Sequence, residues 1–163
     1  MITTVECVNV LAECGAIMQS KYEERHNNVL RILFFKILTN YELVPREDRA
    51  WYKPIKPKPV FEDEQVRALW DIPLFAEKTE ARANRIDVRI IDKKEEKVIL
   101  IEISCPWIDN RVVNTEEKTR KYGPLRLKLK KQYPGYKITQ YNLIMDVLGG
   151  YLEEVREAYK HFK

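Results

Sequence analysis

Apolar residues recur at helical spacing from Gln19 to Tyr41. Tyr22, His26, Val29, Leu30, Leu33 and Ile37 fall on one stripe, which predicts an amphipathic helix. His26 lies on that stripe, where a histidine is expected to serve as a hydrogen-bonded packing residue. From Val44 to Phe61 the periodicity is lost. Pro45, Pro54, Pro57 and Pro59, four of the chain's eight prolines, predict an irregular arm with extended, polyproline-like backbone over 53–59.

Beyond the arm the period changes to two. Arg67 to Glu77 places Trp70, Ile72, Leu74 and Ala76 on one face, and Pro73 marks it as an edge strand. Arg85 to Asp92 and Lys97 to Cys105 read as two strands paired through the charged turn from Asp92 to Lys97. The second is almost continuously apolar, as a strand buried on both faces would be. Asn114, Thr115, Glu116 and Glu117 resemble a capping box with Asn114 as the cap, so a second helix is expected there. Gly123 and Pro124 predict a break and restart in that helix. The alternation from Leu125 to Lys130 also allows a strand. Lys137 to Val147 reads as a strand, Gly149 and Gly150 as a turn, and Tyr151 to Phe162 as a terminal helix. The order is helix, three strands, helix, strand, helix, an α/β arrangement.

The length of 163 residues fits one domain with a real core. A hydrophobic fraction of 45% beside a charged fraction of 33% excludes a disordered polyelectrolyte. The prolines of the arm do not divide the chain, because about 43 residues before them are too few for an independent core. Cys7, Cys14 and Cys105 are too sparse for a disulfide framework and predict a reducing, intracellular setting. The opening residues 1–6 carry no basic, apolar secretion signal. No apolar run approaches the ~20 residues of a membrane span, so no membrane partner is expected.

Net charge is only +4, but its distribution is uneven. Between Lys118 and Met145 there is no acid, while Lys118, Arg120, Lys121, Arg126, Lys128, Lys130, Lys131 and Lys137 are all basic. Such a run is either a solvated helix face or a phosphate-binding patch.

The chemistry centres on two acids. Asp87 and Glu102 are separated by fourteen residues and sit on the two paired strands, Glu102 within the apolar one. An unpaired buried carboxylate is costly, so something positive must stand beside it. Asp87, Glu102 and the backbone carbonyl of Ile103 would offer three oxygen ligands to magnesium or manganese, which keep several waters. A purely structural reading instead pairs the acid with an arginine, such as Glu102 with Arg89 or Arg85.

Several short motifs accompany the acids: Tyr22 with Arg25, His26 and Asn27; Leu69, Trp70 and Asp71; Ala83, Asn84, Arg85 and Asp87; Leu100, Glu102, Ser104, Cys105 and Pro106; Glu117, Lys118, Lys121 and Tyr122. In this combination, over roughly residues 21–150, the chain resembles the PD-(D/E)XK restriction-like nuclease fold. It most resembles the restriction-like endonuclease domain of reverse-transcriptase polyproteins from site-specific non-LTR retrotransposons. The resemblance implies an αβββαβ core with a mixed sheet flanked by helices and an extra C-terminal helix. Residues 21–163 would form the domain, with a proline-rich arm over 45–60. Residues 1–20 would be the remnant of an upstream knuckle or linker.

The resemblance implies that Asp87 and Glu102 bind the metal. Ser104 stands where the wider fold has a lysine, so Lys118 or Lys121 on the following helix would take that role, beside Tyr122. Arg85 matches the basic residue before the first acid, and Glu23 or Glu24 would be the first-helix carboxylate. Arg85, Lys118, Arg120, Lys121, Arg126, Lys128, Lys130 and Lys131 would contact nucleic acid. Ile86 replaces the family's proline, which is not a ligand. Cys7, Cys14 and His26 lack the close CxxC pair of a zinc site, so zinc is not expected.

The expected function is therefore a magnesium-dependent endonuclease that nicks DNA in the nucleus, with the reverse transcriptase of a parent element as a further partner. Two alternatives are a nuclease-fold module that binds nucleic acid without cutting, and a relic with no nucleic-acid role.

Overall fold

The computed structural model describes residues 15–46, 55–74, 85–106 and 111–145, together with Arg156. The expected terminal helix, Cys7, Cys14, Ala76, Ala83 and Asn84 lie outside these residues. Helix α1 spans Gly15–Asn40, starting ahead of the predicted Gln19. Its inner face is Leu30, Phe34, Ile37 and Leu38, spaced as successive turns of one stripe and all buried. The C-terminus closes in a Schellman motif: Leu43 N–H donates to Leu38 O at 2.9 Å and Glu42 N–H to Thr39 O at 3.1 Å. Glu42 takes the left-handed φ of 57° that glycine usually supplies there.

Four strands follow: β1 Val60–Glu62, β2 Val66–Trp70, β3 Val88–Asp92 and β4 Lys97–Ser104. They form an antiparallel meander in sequence order. The chain then crosses through two helices, α2 Arg111–Lys121 and α3 Gly123–Gln132, to β5 Lys137–Ile144, which lies parallel to β4. A parallel neighbour requires such a crossover. The molecule is thus an α/β protein with a five-stranded mixed sheet and helices on both faces. None of the helices among the described residues is long and apolar enough to cross a membrane.

Strand β4 is buried on both sides, as its apolar run predicts. Ile99, Ile101 and Ile103 join Leu30, Phe34 and Ile37 of α1 in one cluster. Val98 and Leu100 join Tyr122, Leu125 and Leu129 in the other. Phe34 anchors the first cluster, its ring 5.2 Å from that of Trp70 and 5.8 Å from that of Phe61.

Four expectations are corrected. Strand β3 begins at Val88 and not at Arg85, so Asp87 lies in a bend just ahead of it and not on the strand. The edge strand is β1, which falls within the stretch expected to be irregular, and β2 lies inside the sheet between β1 and β3. The proline that marks the edge is Pro59, whose carbonyl accepts the Trp70 N–H at 2.9 Å while its own nitrogen has no hydrogen to offer. Strand β2 stops at Trp70 because Asp71 turns to φ 52°. Asn114 lies inside α2, which begins at Arg111, so it does not cap the helix. The break at Gly123 is present, with Pro124 in the first turn of α3, and the stretch that also allowed a strand is helical.

Candidate functional site

The last register pair between β3 and β4 is Val88 with Ile101. One step further, Asp87 faces Glu102 as β3 begins. Asp87 Oδ2 accepts the Ile103 N–H at 2.7 Å, so a side chain supplies the acceptor where the ladder has run out. The same oxygen meets His26 Nε2 of α1 at 3.2 Å. The Asp87 carbonyl accepts the Asp71 N–H at 2.8 Å, and the Asp71 carboxylate holds Arg85 through a fork of two bonds. The Asp71 and Arg85 motifs therefore meet in space behind the first acid.

Glu102 is only 4% exposed. Its Oε1 accepts Lys118 Nζ at 2.7 Å. Its Oε2 is buried and no donor meets it with hydrogen-bond geometry. Burial, then the neighbouring Asp87 charge, pushes the Glu102 carboxyl above its ordinary range, and Lys118 and the Tyr122 hydroxyl pull it back only in part. Burial alone would lower Lys118, but Glu102 and Asp87 hold its proton more tightly than usual. Both ends thus shift upward for different reasons, Glu102 chiefly through burial and Lys118 chiefly through its bond to Glu102, with Asp87 adding to each. Tyr122 is pushed up by burial and by Glu102, so its hydroxyl stays protonated and able to donate.

His26 follows the same logic. Burial would lower it, but Asp87, Asn27 and Glu102 together raise it above its ordinary value. Tyr22 stacks on its ring at 6.1 Å and 19°. Burial pushes the nearby Cys105 thiol up, which disfavours a thiolate there.

Helix α2, which carries Lys118, docks in an unusual way. From Val112 to Lys121 no side chain is fully buried. Polar bonds from β5 tie it down instead. Asn142, the register partner of Glu102, donates to Thr119 Oγ1 at 2.7 Å and Thr115 O at 3.2 Å. Gln140 donates to Lys118 O at 3.3 Å and to Asn142 Oδ1 at 2.7 Å. Arg126 of α3 donates to Thr119 O at 3.0 Å and to the Gln140 amide oxygen. Ser104 Oγ meets Asn114 Oδ1 at 3.4 Å.

The structure thus brings Asp87, Glu102, Ile103, Lys118 and Tyr122 together. Lys121 is exposed and lies over the Tyr122 ring, 5.0 Å from its centre. Glu24 pairs with Lys21 on the surface of α1 at 2.9 Å. Arg120, Lys130 and Lys131 are exposed, while Lys128 donates to Leu74 O at 3.2 Å. Among the described residues no arginine pairs with either acid; Asp87 meets a histidine and Glu102 a lysine. Sequence reasoning treated His26 as packing and did not single out Gln140 and Asn142. The signal for the latter was two amides alternating on one face of an otherwise apolar strand.

For a metal, the fit rests on oxygen. Two adjoining carboxylates, one with a buried oxygen that no donor meets in hydrogen-bond geometry, suit a hard cation that keeps several waters. The described residues contain no group of three or more His, Cys, Asp or Glu side chains that could hold a metal ion. No family model matches this chain, and neither do any curated proteins or solved structures. The fold defines its class at the level of architecture: an α/β protein with a mixed five-stranded sheet and two carboxylates at the end of its central hairpin.

Proposed function

We propose that this domain is a restriction-like, divalent-metal-dependent DNA endonuclease that nicks one strand. The observation that carries the reading is the buried Glu102 carboxylate beside Asp87, whose Oε2 no donor meets in hydrogen-bond geometry even with the Tyr122 hydroxyl close by. When bound, magnesium or manganese would supply an activated water and offset charge developing on the phosphate. The chain's own residues would do the rest. Asp87 is oriented by the Ile103 N–H and His26, and Glu102 by Lys118. Lys118 also presents a cation at the point where phosphate charge would grow. Exposed Arg120, Lys121, Lys130 and Lys131 would hold the backbone. The order supports the reading in that it matches αβββαβ once the edge strand β1 is set aside and α2 and α3 are counted as one broken helix. The parent reverse transcriptase and nuclear action belong to the same proposal.

The test is cleavage of supercoiled plasmid by the purified chain with magnesium, manganese or EDTA, beside an Asp87→Ala/Glu102→Ala variant. Metal-dependent relaxation absent from the variant supports the proposal. Equal cutting by both proteins would place the chemistry elsewhere.

One observation favours a second reading, a module that binds nucleic acid without cutting. Lys118 and His26 already counter both acids with no metal. Salt-dependent retardation of DNA by protein that leaves plasmid intact in every metal would select it.

A further inference from the structure

Arg89 lies on β3 between Leu69 of β2 and Leu100 of β4, on the face covered by α3. It is 7% exposed, and its Nε is buried without a hydrogen-bond partner. No described acidic side chain forms an ion pair with it. Arginine does not shed its proton, so this charge cannot be removed by neutralisation. Buried charges persist where they are paired. Arg89 is thus a buried cation for which the described residues supply no counter-charge.

Its surroundings define the chemistry that would pair with it. Arg67 stands two residues along β2 from Leu69, the register partner of Arg89, so the two arginines are diagonal neighbours on one face. Burial weakens the hold of Arg89 on its proton; Tyr133, at the end of α3, opposes this and Arg67 adds to it. Among the described residues Arg67 meets an acid only through Nε, which holds Glu62 at 2.5 Å and leaves the outer guanidinium edge to take a further acceptor. Glu62 engages Arg67, and no described ion pair reaches Arg89. Two guanidinium forks beside a tyrosine hydroxyl match an oxyanion with several acceptor oxygens. The last turn of α3 adds the exposed cations Lys130 and Lys131.

We infer that Arg89, with Arg67 and Tyr133, forms a phosphate-binding subsite on the α3 face of the sheet. The subsite is separate from the acid pair and does not depend on cleavage. The same chemistry accepts a nucleic-acid backbone phosphate or a free phosphate group, and the test separates them.

The full chain is melted in inorganic phosphate and in chloride at equal ionic strength, alongside Arg89→Met, Arg89→Lys and Arg67→Met. Phosphate is expected to raise the melting temperature of the parent by several degrees. Arg89→Met abolishes that shift and, in chloride, melts no lower than the parent, because its buried charge is gone. Arg89→Lys, which keeps the charge without the fork, and Arg67→Met each retain a reduced shift. No phosphate-specific shift in the parent, or an equal shift in Arg89→Met, overturns the inference. If Arg89→Met does not fold, Arg89→Lys decides: an undiminished shift overturns, a reduced one supports.

Oligonucleotide binding at several salt concentrations then identifies the source. With the phosphate shift abolished, a log–log slope shallower by about 0.9 in the variant assigns the subsite to a duplex backbone phosphate. An unchanged slope assigns it to a free phosphate. Plasmid cleavage by the Arg89 variants reads the acid site independently.

Discussion

Lys118 Nζ sits 2.7 Å from Glu102 Oε1, and the two side chains are 18% and 6% exposed. The cation comes from a helix with no fully buried side chain from Val112 onward, and the acid from the most buried strand. The ion pair thus joins a polar-docked element to the core. Removing one partner of a buried pair strands the other, which typically costs about 3–5 kcal/mol. Lys118→Met is expected to destabilise at the lower end of that range, because some water reaches the lysine. Adding Glu102→Gln should recover most of the loss. Urea unfolding of the two single variants and the double variant measures the coupling; additive losses would show that the pair is not a unit.

The hydrogen bond between His26 and Asp87 has a pH signature. His26 is raised above its ordinary value of 6.5. A raised folded-state value means the contribution is fully present below 6.5 and is lost as pH rises through the folded value. Parent stability should therefore fall relative to His26→Gln on going from about pH 5 to pH 9. Denaturation curves at a series of pH values check this, and parallel profiles for the two proteins would refute it.

Glu102 is raised as well, so its sign is the same. Burying it as a carboxylate weakens the fold as pH rises from 4.5 through the folded value. Relative to the parent, Glu102→Gln should therefore gain stability from low pH toward neutrality, set against a constant cost for taking the charged partner from Lys118. Addition of magnesium should narrow that gap for the parent alone, because a cation favours the charged form. Thermal melts with magnesium and with EDTA at fixed pH read the difference.

The amides of Gln140 and Asn142 hold α2 by directional bonds where apolar packing is lacking. Asn142→Ala removes its two bonds to α2 and the one it accepts from Gln140, and is expected to cost about 1–3 kcal/mol. The loss should be local. Hydrogen exchange should quicken across α2 and leave Leu100 and Ile101 of β4 protected. Uniform quickening would mean that the amides support the whole sheet.

Lys130 and Lys131 extend into solvent from the last turn of α3. Replacing both with alanine should lower the log–log salt slope of DNA binding by up to about 1.8, at ~0.9 for each phosphate that is no longer neutralised. Stability should drop by only a few tenths of a kcal/mol through the helix terminus. A slope identical to that of the parent would remove these residues from the interface.

Much of the fold was legible in the chain. The stripe of α1, the doubly buried β4 and the break at Gly123 each follow from a local pattern that packing then obeyed. Strand β1 was not legible, because its three residues follow prolines and gain their place only by pairing with β2. The end of β2 was misplaced for a related reason. Asp71 leaves the strand to hold Arg85 and the Asp87 peptide, partners fourteen and sixteen residues away.

The sequence by itself determined which residues are apolar, roughly where α1, α3 and the central strands run, and that Asp87, just ahead of β3, comes beside Glu102 of β4. Those features depend on periodicity and near-neighbour chemistry, which a chain carries locally. Only the tertiary structure decided who neutralises the acids. Lys118 and His26, from helices on opposite faces of the sheet, converge there, while Arg85 turns to Asp71 and Arg89 stays buried with no acid among the described residues paired to it. Such choices rest on which distant side chains share a low-dielectric space, where pairing is worth most and its absence costs most.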